Sequence, residues 1–150
     1  MNLKNYNKNI YIDFIVILSI FLLDRISKLY IIYLDEKLGN SDIYFSKFFH
    51  IQLIWNDGIA FGLLAFNENI YYNALTGIIV LVTLVVFFFM IRTKGIEKYC
   101  FMMILGGSLG NIFDRLYYSA VPDFIDLHYQ NFHWFIFNVA DIFITSGVLL

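Results

Sequence analysis

Asp141 is the residue whose position in the chain most clearly indicates chemistry. It carries the only charge between Phe137 and Leu150, in a largely apolar segment. A charged side chain at the centre of a membrane-spanning helix costs about 3 kcal/mol on insertion scales, so such a carboxylate indicates a functional site. Asn138 lies three residues before it and Thr145 four residues after it, which places all three on one face of a predicted helix. The alternative is a buried carboxyl that bonds only to its helix neighbours.

A second carboxylate, Asp123, lies in the segment VPDFID that precedes this helix, beside the only proline of the chain. If this predicted loop folds back over the membrane, Asp123 meets Asp141. Two carboxylates in one site cannot both ionise easily, so the pair retains a proton. One member can then activate water while the other protonates, as in aspartic proteases. Alternatively, Asp123 and Asp126 are solvated loop acids.

A third polar cluster lies in the predicted first helix, in the motif DRISK at 24–28. Asp24 and Lys28 are four residues apart, so their side chains share a helix face and can neutralise each other. The alternative is an ion pair near the outer membrane surface, with the Lys28 ammonium extending outward to water. This pair alone does not specify a reaction.

A fourth cluster follows a run of glycines in GGSLGNIFDR at 106–115. Glycines at three- and four-residue spacing let another helix approach closely. Asn111, Asp114 and Arg115 then fall on one face at the outer end of the predicted helix. The alternative is an ion cluster at the membrane interface.

A fifth cluster, Asn56-Asp57-Gly58, follows a segment at 43–55 that is rich in β-favouring residues. All three residue types tolerate turn geometry, so the simplest interpretation is a turn in a small extracytoplasmic sheet. The apolar run at 60–66 comes directly afterwards. We expect this run to cover the paired carboxylates as a lid that excludes water.

The composition is that of a membrane protein. The chain has 150 residues, of which 60% are hydrophobic, and its mean hydropathy is +0.70, which is too apolar for an ordinary soluble domain. We predict one all-α membrane domain over 1–150, a four-transmembrane-helix bundle with a small extracytoplasmic β-sheet and loop subdomain at about 35–71, between helices 1 and 2. The predicted spans are approximately 11–34, 72–91, 99–116 and 134–150.

The distribution of charge predicts the orientation. Basic residues precede the first span and fill the link at 92–98, whereas the connections at 35–72 and 114–133 are biased toward acidic residues. Both termini are therefore expected in the cytoplasm, and the paired carboxylates near the outer face. The first span is expected to remain uncleaved, because DRISK occupies the place where a signal peptide has small residues.

Other features exclude several kinds of site. The single cysteine, Cys100, allows no disulfide within the chain. The three histidines lack the spacing of metal ligands, so no metal site is predicted. No basic patch indicates nucleic acid. We expect no cofactor, because two carboxylates and water suffice for hydrolysis.

Taken in order, the five clusters resemble the signal peptidase II family, the lipoprotein signal peptidases of bacterial inner membranes. The resemblance covers nearly the whole chain and rests on DRISK, NDGIAFG, GGSLGNIFDR, VPDFID and FNVAD. It implies an aspartic endopeptidase that cuts prolipoproteins just before a lipobox cysteine that already bears diacylglycerol. It further implies a monomer in contact with membrane lipid, and inhibition by the cyclic peptide globomycin.

The resemblance also implies roles for particular residues. Asp123 and Asp141 would be the catalytic pair. The supporting and substrate-binding residues would be Asn56, Gly58, Asn111, Asp114, Arg115, Asn138, Asp24 and Lys28.

Two rival functions remain at this point. Intramembrane acids also form proton relays, so a subunit of a transporter or ion pathway is the main alternative. That function predicts acids spread across the membrane, whereas these cluster near the predicted outer face. A nonenzymatic assembly subunit would use the glycines for packing but would not need Asp123 or Asn138.

Overall fold

The computed structural model describes residues 3–39, 42–58, 69–129 and 132–150. Within those ranges the chain is mostly helical, with one small antiparallel sheet. The elements in chain order are α1 (Leu3–Leu38), β1 (Ile43–Tyr44), β2 (Phe49–Asn56), α2 (Asn69–Arg92), α3 (Ile96–Tyr118), β3 (Val121–Tyr129), β4 (Phe132–Phe137) and α4 (Val139–Leu149). The apolar run at 60–66 that we predicted as a lid lies outside the described residues.

The helices expose apolar side chains on their outer surfaces. On α2, Ile78 is 60% exposed and Leu81 is 62% exposed. By length and composition, one helical stretch in the described ranges, Tyr72–Arg92, is apolar enough to cross a membrane, and Val139–Leu149 is a shorter apolar helix. Contiguous apolar surface of this kind is rare on proteins that water surrounds, and it fits contact with lipid.

The sheet has the order β1-β2-β3-β4, with every neighbouring pair antiparallel. Strand β2 pairs with β3 so that Ile54 lies opposite Asp123 and Asn56 lies opposite Val121, with a register shift between Ile51 and Ile54. Our prediction that Asp123 lies in a loop was therefore wrong, because β3 and β4 extend the sheet beyond the segment between α1 and α2. Pairing on both sides gives β3 a fixed position that a loop would lack.

The last helix is shorter than the predicted span of 134–150. Strand β4 continues to Phe137, and α4 begins at Val139 after Asn138. The apolar composition of β4 did not distinguish it from a helix, since buried strands and buried helices have similar compositions. The change matters for the site, because it places Asn138 and Asp141 at the start of a helix and not in its interior.

The helices pack closely where small residues allow it. Met90, Met102 and Leu105 form a buried apolar cluster between α2 and α3, and Val16 and Ile17 of α1 pack against it. Helix α3 meets α4 at Gly107, where the backbone of Ala140 approaches directly. At the C-terminal end of α3, Ser119 adopts a left-handed backbone conformation (φ 58°) that ends the helix and turns the chain into β3.

Replacing Gly107 with alanine is expected to destabilise the bundle. An added Cβ would lie 2.5 Å from the Ala140 carbonyl oxygen and 2.8 Å from Ile144 Cγ1, so α3 and α4 would have to separate. Overpacking of this kind costs about 1–3 kcal/mol, which a lower apparent Tm of the detergent-purified protein would report.

Gly77→Ala on α2 is the matched control, because a Cβ there has no neighbour within 4 Å. Its Tm should be unchanged or slightly higher, since alanine favours helix formation over glycine. Equal loss of Tm in the two variants would contradict close packing of α3 against α4.

Candidate active site

Asn138 joins β4 to α4 and caps the first turn of that helix. Its Oδ1 accepts a hydrogen bond from the Asp141 backbone N–H at 3.1 Å, and Asp141 Oδ2 accepts one from the Asn138 backbone N–H at 3.2 Å. This reciprocal arrangement is a capping box, whose cap residue typically contributes about 1 kcal/mol to stability. The cap holds the Asp141 carboxylate at the helix N-terminus, where the helix dipole favours negative charge.

Asp123, on β3, contacts the same Asn138 from the side of the sheet. Its Oδ1 accepts a hydrogen bond from Asn138 Nδ2 at 2.6 Å, and its Oδ2 accepts one from Asn56 Nδ2 at 2.8 Å. The residue is only 4% exposed. Asn138 therefore contacts both aspartates, with its side chain on Asp123 and its backbone on Asp141.

A third carboxamide completes the set of donors to the two carboxylates. Asn111 on α3 donates from Nδ2 to Asp141 Oδ1 at 2.9 Å. Each of the four carboxylate oxygens of Asp123 and Asp141 thus accepts at least one N–H from the protein. A carboxylate oxygen has two lone-pair sites, so capacity remains for a proton and for water.

The orientation of each carboxamide is fixed by a partner that can only donate. A reversed amide would present its NH₂ group to a donor and its oxygen to a carboxylate, which are two unfavourable contacts. The partners of the three carboxamide oxygens are the Gly58 N–H for Asn56 at 2.9 Å, the Lys28 Nζ for Asn111 at 2.8 Å, and the Asp141 N–H for Asn138 at 3.1 Å.

Burial raises the pKa of Asp123 from its ordinary value of 3.8 to about 7. Desolvation is the largest cause, and the negative charge of nearby Asp141 adds to it. The hydrogen bonds from Asn56 and Asn138 act in the opposite direction, as does the more distant charge of Lys28. Asp123 consequently retains a proton up to near-neutral pH.

Lys28 lies at the centre of a buried ionic cluster behind the two aspartates. Its Nζ donates to Asp24 Oδ2 at 2.8 Å, to Asp114 Oδ2 at 2.7 Å and to Asn111 Oδ1 at 2.8 Å, and its side chain is fully buried. The prediction that Asp24 and Lys28 form an ion pair is confirmed, but the alternative in which Lys28 extends to the membrane surface is wrong. Three well-placed acceptors inside the bundle compensate for its loss of water.

Arg25 is a member of this cluster that sequence reasoning missed. Its Nη1 lies 2.5 Å from Asp114 Oδ1, and its guanidinium carbon lies 4.9 Å from the centre of the Phe113 ring. The side chain is 8% exposed. Because Arg25 follows Asp24 directly, periodicity gave no reason to place both side chains inward. The available signal was an arginine within a predicted membrane span.

Asp24 links the ionic cluster to the backbone of α4. Its Oδ2 binds Lys28, and its Oδ1 accepts the backbone N–H of Ala140 at 2.9 Å. Ala140 is the residue before Asp141, so Asp24 satisfies one of the free N–H groups in the first turn of α4. Sequence reasoning could not have found this contact, because it joins residues that are far apart in the chain.

Arg115 connects the end of β2 to the helices. It donates from Nη2 to the Gly58 carbonyl oxygen, and its guanidinium carbon lies 5.4 Å from the centre of the Tyr72 ring. The Tyr72 hydroxyl in turn donates to the Arg115 carbonyl oxygen at 3.4 Å. Gly58 also donates its N–H to Asn56 in an Asx turn, so the predicted turn at Asn56-Asp57-Gly58 is confirmed.

The ten residues predicted for the site thus form one continuous network at the end of the helices that carries the sheet. They are supplied by α1, α3, β2 with the turn that follows it, β3, and the start of α4 with its cap. Asn138 differs most from expectation, because it precedes α4 as a cap and does not share a face within a helix. The interpretation of Asp126 as a solvated loop acid was wrong, because Asp126 is buried on β3, with its Oδ2 3.5 Å from His50 Nδ1 and 3.7 Å from His128 Nδ1.

This network contains the residues on which the predicted family resemblance rests. Comparison with family models tests that prediction independently. The family model described as signal peptidase (SPase) II matches residues 16–150. The chain belongs to the signal peptidase II family. The family and the aspartic peptidase activity predicted from the motifs are therefore confirmed.

Relatives support this assignment over nearly the full length. The chain is 50% identical over 148 residues to a lipoprotein signal peptidase of Pelagibacter ubique, an alignment that covers 99% of this chain and 87% of the relative. It is 39% identical over 142 residues to a lipoprotein signal peptidase of Anaplasma phagocytophilum, covering 93% and 88%.

Solved structures show the same fold. A bacterial membrane enzyme determined by the in meso method at 2.3 Å resolution superposes with a TM-score of 0.69 at 21% identity, covering 93% of this chain and 84% of that one. A second such structure, at 1.9 Å resolution, gives a TM-score of 0.67 at 24% identity, covering 93% and 89%. The mostly helical fold with a small antiparallel sheet is thus that of bacterial membrane enzymes.

The raised pKa of Asp123 predicts that this residue lowers the stability of the fold as pH rises. Below about pH 4 the carboxyl is neutral in both the folded and the unfolded chain. Between about pH 4 and pH 7 the folded chain retains a proton that the unfolded chain has lost, so stability falls with pH until the folded pKa of about 7 is passed. The full effect is on the order of 4 kcal/mol at 1.36 kcal/mol per pKa unit.

The measurement is the apparent Tm of the parent and of Asp123→Asn in detergent from pH 4 to pH 8. The parent should lose more Tm over this range than the variant, because asparagine does not titrate. The comparison removes contributions from carboxyls that do not interact with Asp123, because these titrate alike in both proteins. Parallel pH curves would contradict the raised pKa.

Proposed function

We propose that this peptidase removes the signal peptide from diacylglyceryl-modified prolipoproteins, cutting just before the lipidated cysteine, with Asp123 and Asp141 as the catalytic pair. The observation that carries the proposal is that Asn138 bonds both carboxylates at once, through its side chain to Asp123 and through its backbone to Asp141. A purely structural carboxylate needs no second carboxylate beside it, because mutual repulsion only raises the cost of burial.

In this mechanism the pair carries one shared proton before the reaction. Asp123 retains that proton because of its raised pKa, and ionised Asp141 accepts a proton from the attacking water. The water oxygen bonds to the carbonyl carbon of the scissile peptide, and Asp123 gives its proton to the carbonyl oxygen as the tetrahedral intermediate forms. Proton transfer from Asp141 to the leaving nitrogen then breaks the C–N bond. One hydroxyl of the intermediate returns its proton to Asp123, which restores the pair and frees the signal peptide with a new C-terminal carboxyl group.

Arg115 and the end of β2 are proposed to hold the substrate backbone. The Nη1 of Arg115 is buried and has no hydrogen-bond partner among the described residues, while its Nη2 binds Gly58. A buried guanidinium nitrogen without a partner is costly, and a peptide carbonyl of the substrate would satisfy it.

The membrane arrangement belongs to the same proposal. We place four helices across the bacterial inner membrane, both termini in the cytoplasm, and the catalytic pair near the outer face, in a monomer that requires no cofactor. The network lies at the sheet end of the bundle, whereas Lys98 pairs with Asp13 toward the opposite end of α1. A substrate whose acyl chains remain in the outer leaflet can then enter the site laterally, without leaving the lipid.

Substitution of either catalytic aspartate by asparagine is expected to lower signal-peptide release by at least about 10³-fold, because loss of one member of a cooperating catalytic unit removes most of its rate enhancement. The assay follows cleavage of a purified, diacylglyceryl-modified prolipoprotein on a gel. The matched control is Asp13→Asn, an aspartate of α1 that pairs with Lys98 away from the site, and it should retain activity within about twofold.

Each other outcome has a definite meaning. Release that survives Asp123→Asn would keep the peptidase but replace its second acid, with Asp114 as the next candidate. Equal cleavage of substrates with and without diacylglycerol would contradict the proposed substrate class. No release by a folded parent would favour a proton or ion pathway, which proton-flux measurements in vesicles would test.

Activity is expected to fall at both extremes of pH, because the mechanism needs a pair that carries one proton. The alkaline limb should have an apparent pKa near 7, the folded value for Asp123, and it belongs to the coupled pair. The measurement is kcat/KM for a lipidated substrate from pH 4 to pH 10, with the Asp13→Asn control giving the same profile. A flat profile between pH 5 and pH 9 would contradict the single shared proton.

A further inference from the structure

Lys28 uses its donors in a way that charge neutralisation alone does not explain. An ammonium group has three N–H donors, and here two of them meet the carboxylates of Asp24 and Asp114. The third meets Asn111 Oδ1, the oxygen of an uncharged side chain, at 2.8 Å. The same Asn111 donates from Nδ2 to Asp141 Oδ1 at 2.9 Å. A continuous path of two hydrogen bonds therefore joins the buried cation to the catalytic carboxylate.

The direction of this path is fixed by chemistry. The ammonium has no acceptor, so Asn111 must turn its oxygen toward Lys28 and its NH₂ group toward Asp141. Without the ammonium, nothing in this contact would prevent the amide from rotating, and its oxygen could then face the carboxylate. Asp24 acts from the other side, because its Oδ1 binds the Ala140 N–H directly before Asp141.

We propose that Lys28 is a positioning residue for peptide cleavage, which acts through the carboxamide of Asn111 to orient the Asp141 carboxylate toward the attacking water. The proposal rests on the catalytic role proposed for Asp141. Lys28 is fully buried, so it acts through its neighbours without contacting the substrate. Its loss should lower kcat by roughly 10- to 100-fold, the scale expected from small misplacements of a catalytic group, and should leave KM within about twofold.

The test uses a variant that keeps the charge balance of the cluster. Lys28→Met alone would leave Asp24 and Asp114 short of a counter-ion, and such a protein can fail to fold. In Asp24→Asn/Lys28→Met one negative and one positive charge are removed together, and the asparagine oxygen can still accept the Ala140 N–H. If Lys28 only neutralises charge, this double variant recovers parental kcat; if it positions Asn111, the loss of kcat persists.

A second pair of helix-bridging charges supplies the matched control. Asp13 and Lys98 join α1 to α3 as Asp24, Lys28 and Asp114 do, but Asp13 lies about 22 Å from Lys28 along α1 at 1.5 Å per residue. Asp13→Asn/Lys98→Met should therefore keep kcat and KM within about twofold. The apparent Tm of each variant reports whether it is folded, and Lys28→Met/Asp114→Asn replaces the first variant should that protein not fold.

A double-mutant cycle then asks whether Lys28 acts through Asn111. Asn111→Leu is expected to lower kcat by a similar factor, and adding Asp24→Asn/Lys28→Met to it should lower kcat by less than about threefold more, because the path is already broken. Full additivity, an unaffected Asn111→Leu, or parental kcat in the charge-balanced variant would each overturn the proposal. If Asn111→Leu has no measurable activity, kcat and KM of the charge-balanced variant decide alone.

Asp141→Asn, assayed beside these variants, separates the two proposals. Cleavage by Asp141→Asn would contradict the catalytic role of Asp141 and, with it, the positioning role proposed for Lys28. An inactive Asp141→Asn together with a fully active charge-balanced variant would overturn the role of Lys28 alone.

Discussion

The cost of burying carboxylates inside an apolar helix bundle is the constraint on which this structure depends. Asp24, Asp114 and Asp123 are all nearly inaccessible to solvent, and an ion without partners in such surroundings costs several kcal/mol. The structure meets this cost in two ways. Asp24 and Asp114 are matched by Lys28 and Arg25, two negative charges with two positive ones. Asp123 and Asp141 are surrounded by amide N–H groups.

The arrangement of the elements follows from bringing these groups together. The helix pair α3 and α4 can approach because Gly107 presents no side chain to the Ala140 backbone. That approach brings Asn111 within reach of Asp141. The sheet supplies the other half of the site, since pairing of β3 with β2 aligns Asp123 with the Asn56 carboxamide. Neither half contains both Asp123 and Asp141 by itself, so the proposed active site exists only where the sheet meets the bundle.

The sequence predicted which residues form the site better than it predicted the helices and strands that position them. Polar residues are rare in the apolar segments, so Asp24, Lys28, Asn111 and Asp141 were conspicuous, and helical spacing put them on common faces. Strand β4 was missed because its apolar residues run directly into those of α4.

A local signal for the start of α4 was nevertheless present. Asn138 followed three residues later by an acid is the pattern of a helix cap. By contrast, the bond from Ala140 to Asp24 and the direction of the Asn111 carboxamide depend on contacts between distant segments, which no local pattern encodes.

The choice of donors around the proposed catalytic pair has a physical reason. The described hydrogen bonds to Asp123 come from the neutral carboxamides of Asn56 and Asn138. An arginine or lysine in direct contact would hold the carboxylate in place equally well, but it would favour the ionised form strongly and remove the proton that the proposed mechanism needs. Neutral donors orient the acid with a smaller effect on its pKa. The Lys28 charge lowers the pKa of Asp123 least among the causes that act on it. Separating the cation from the pair by one carboxamide therefore reconciles a fixed geometry with a retained proton.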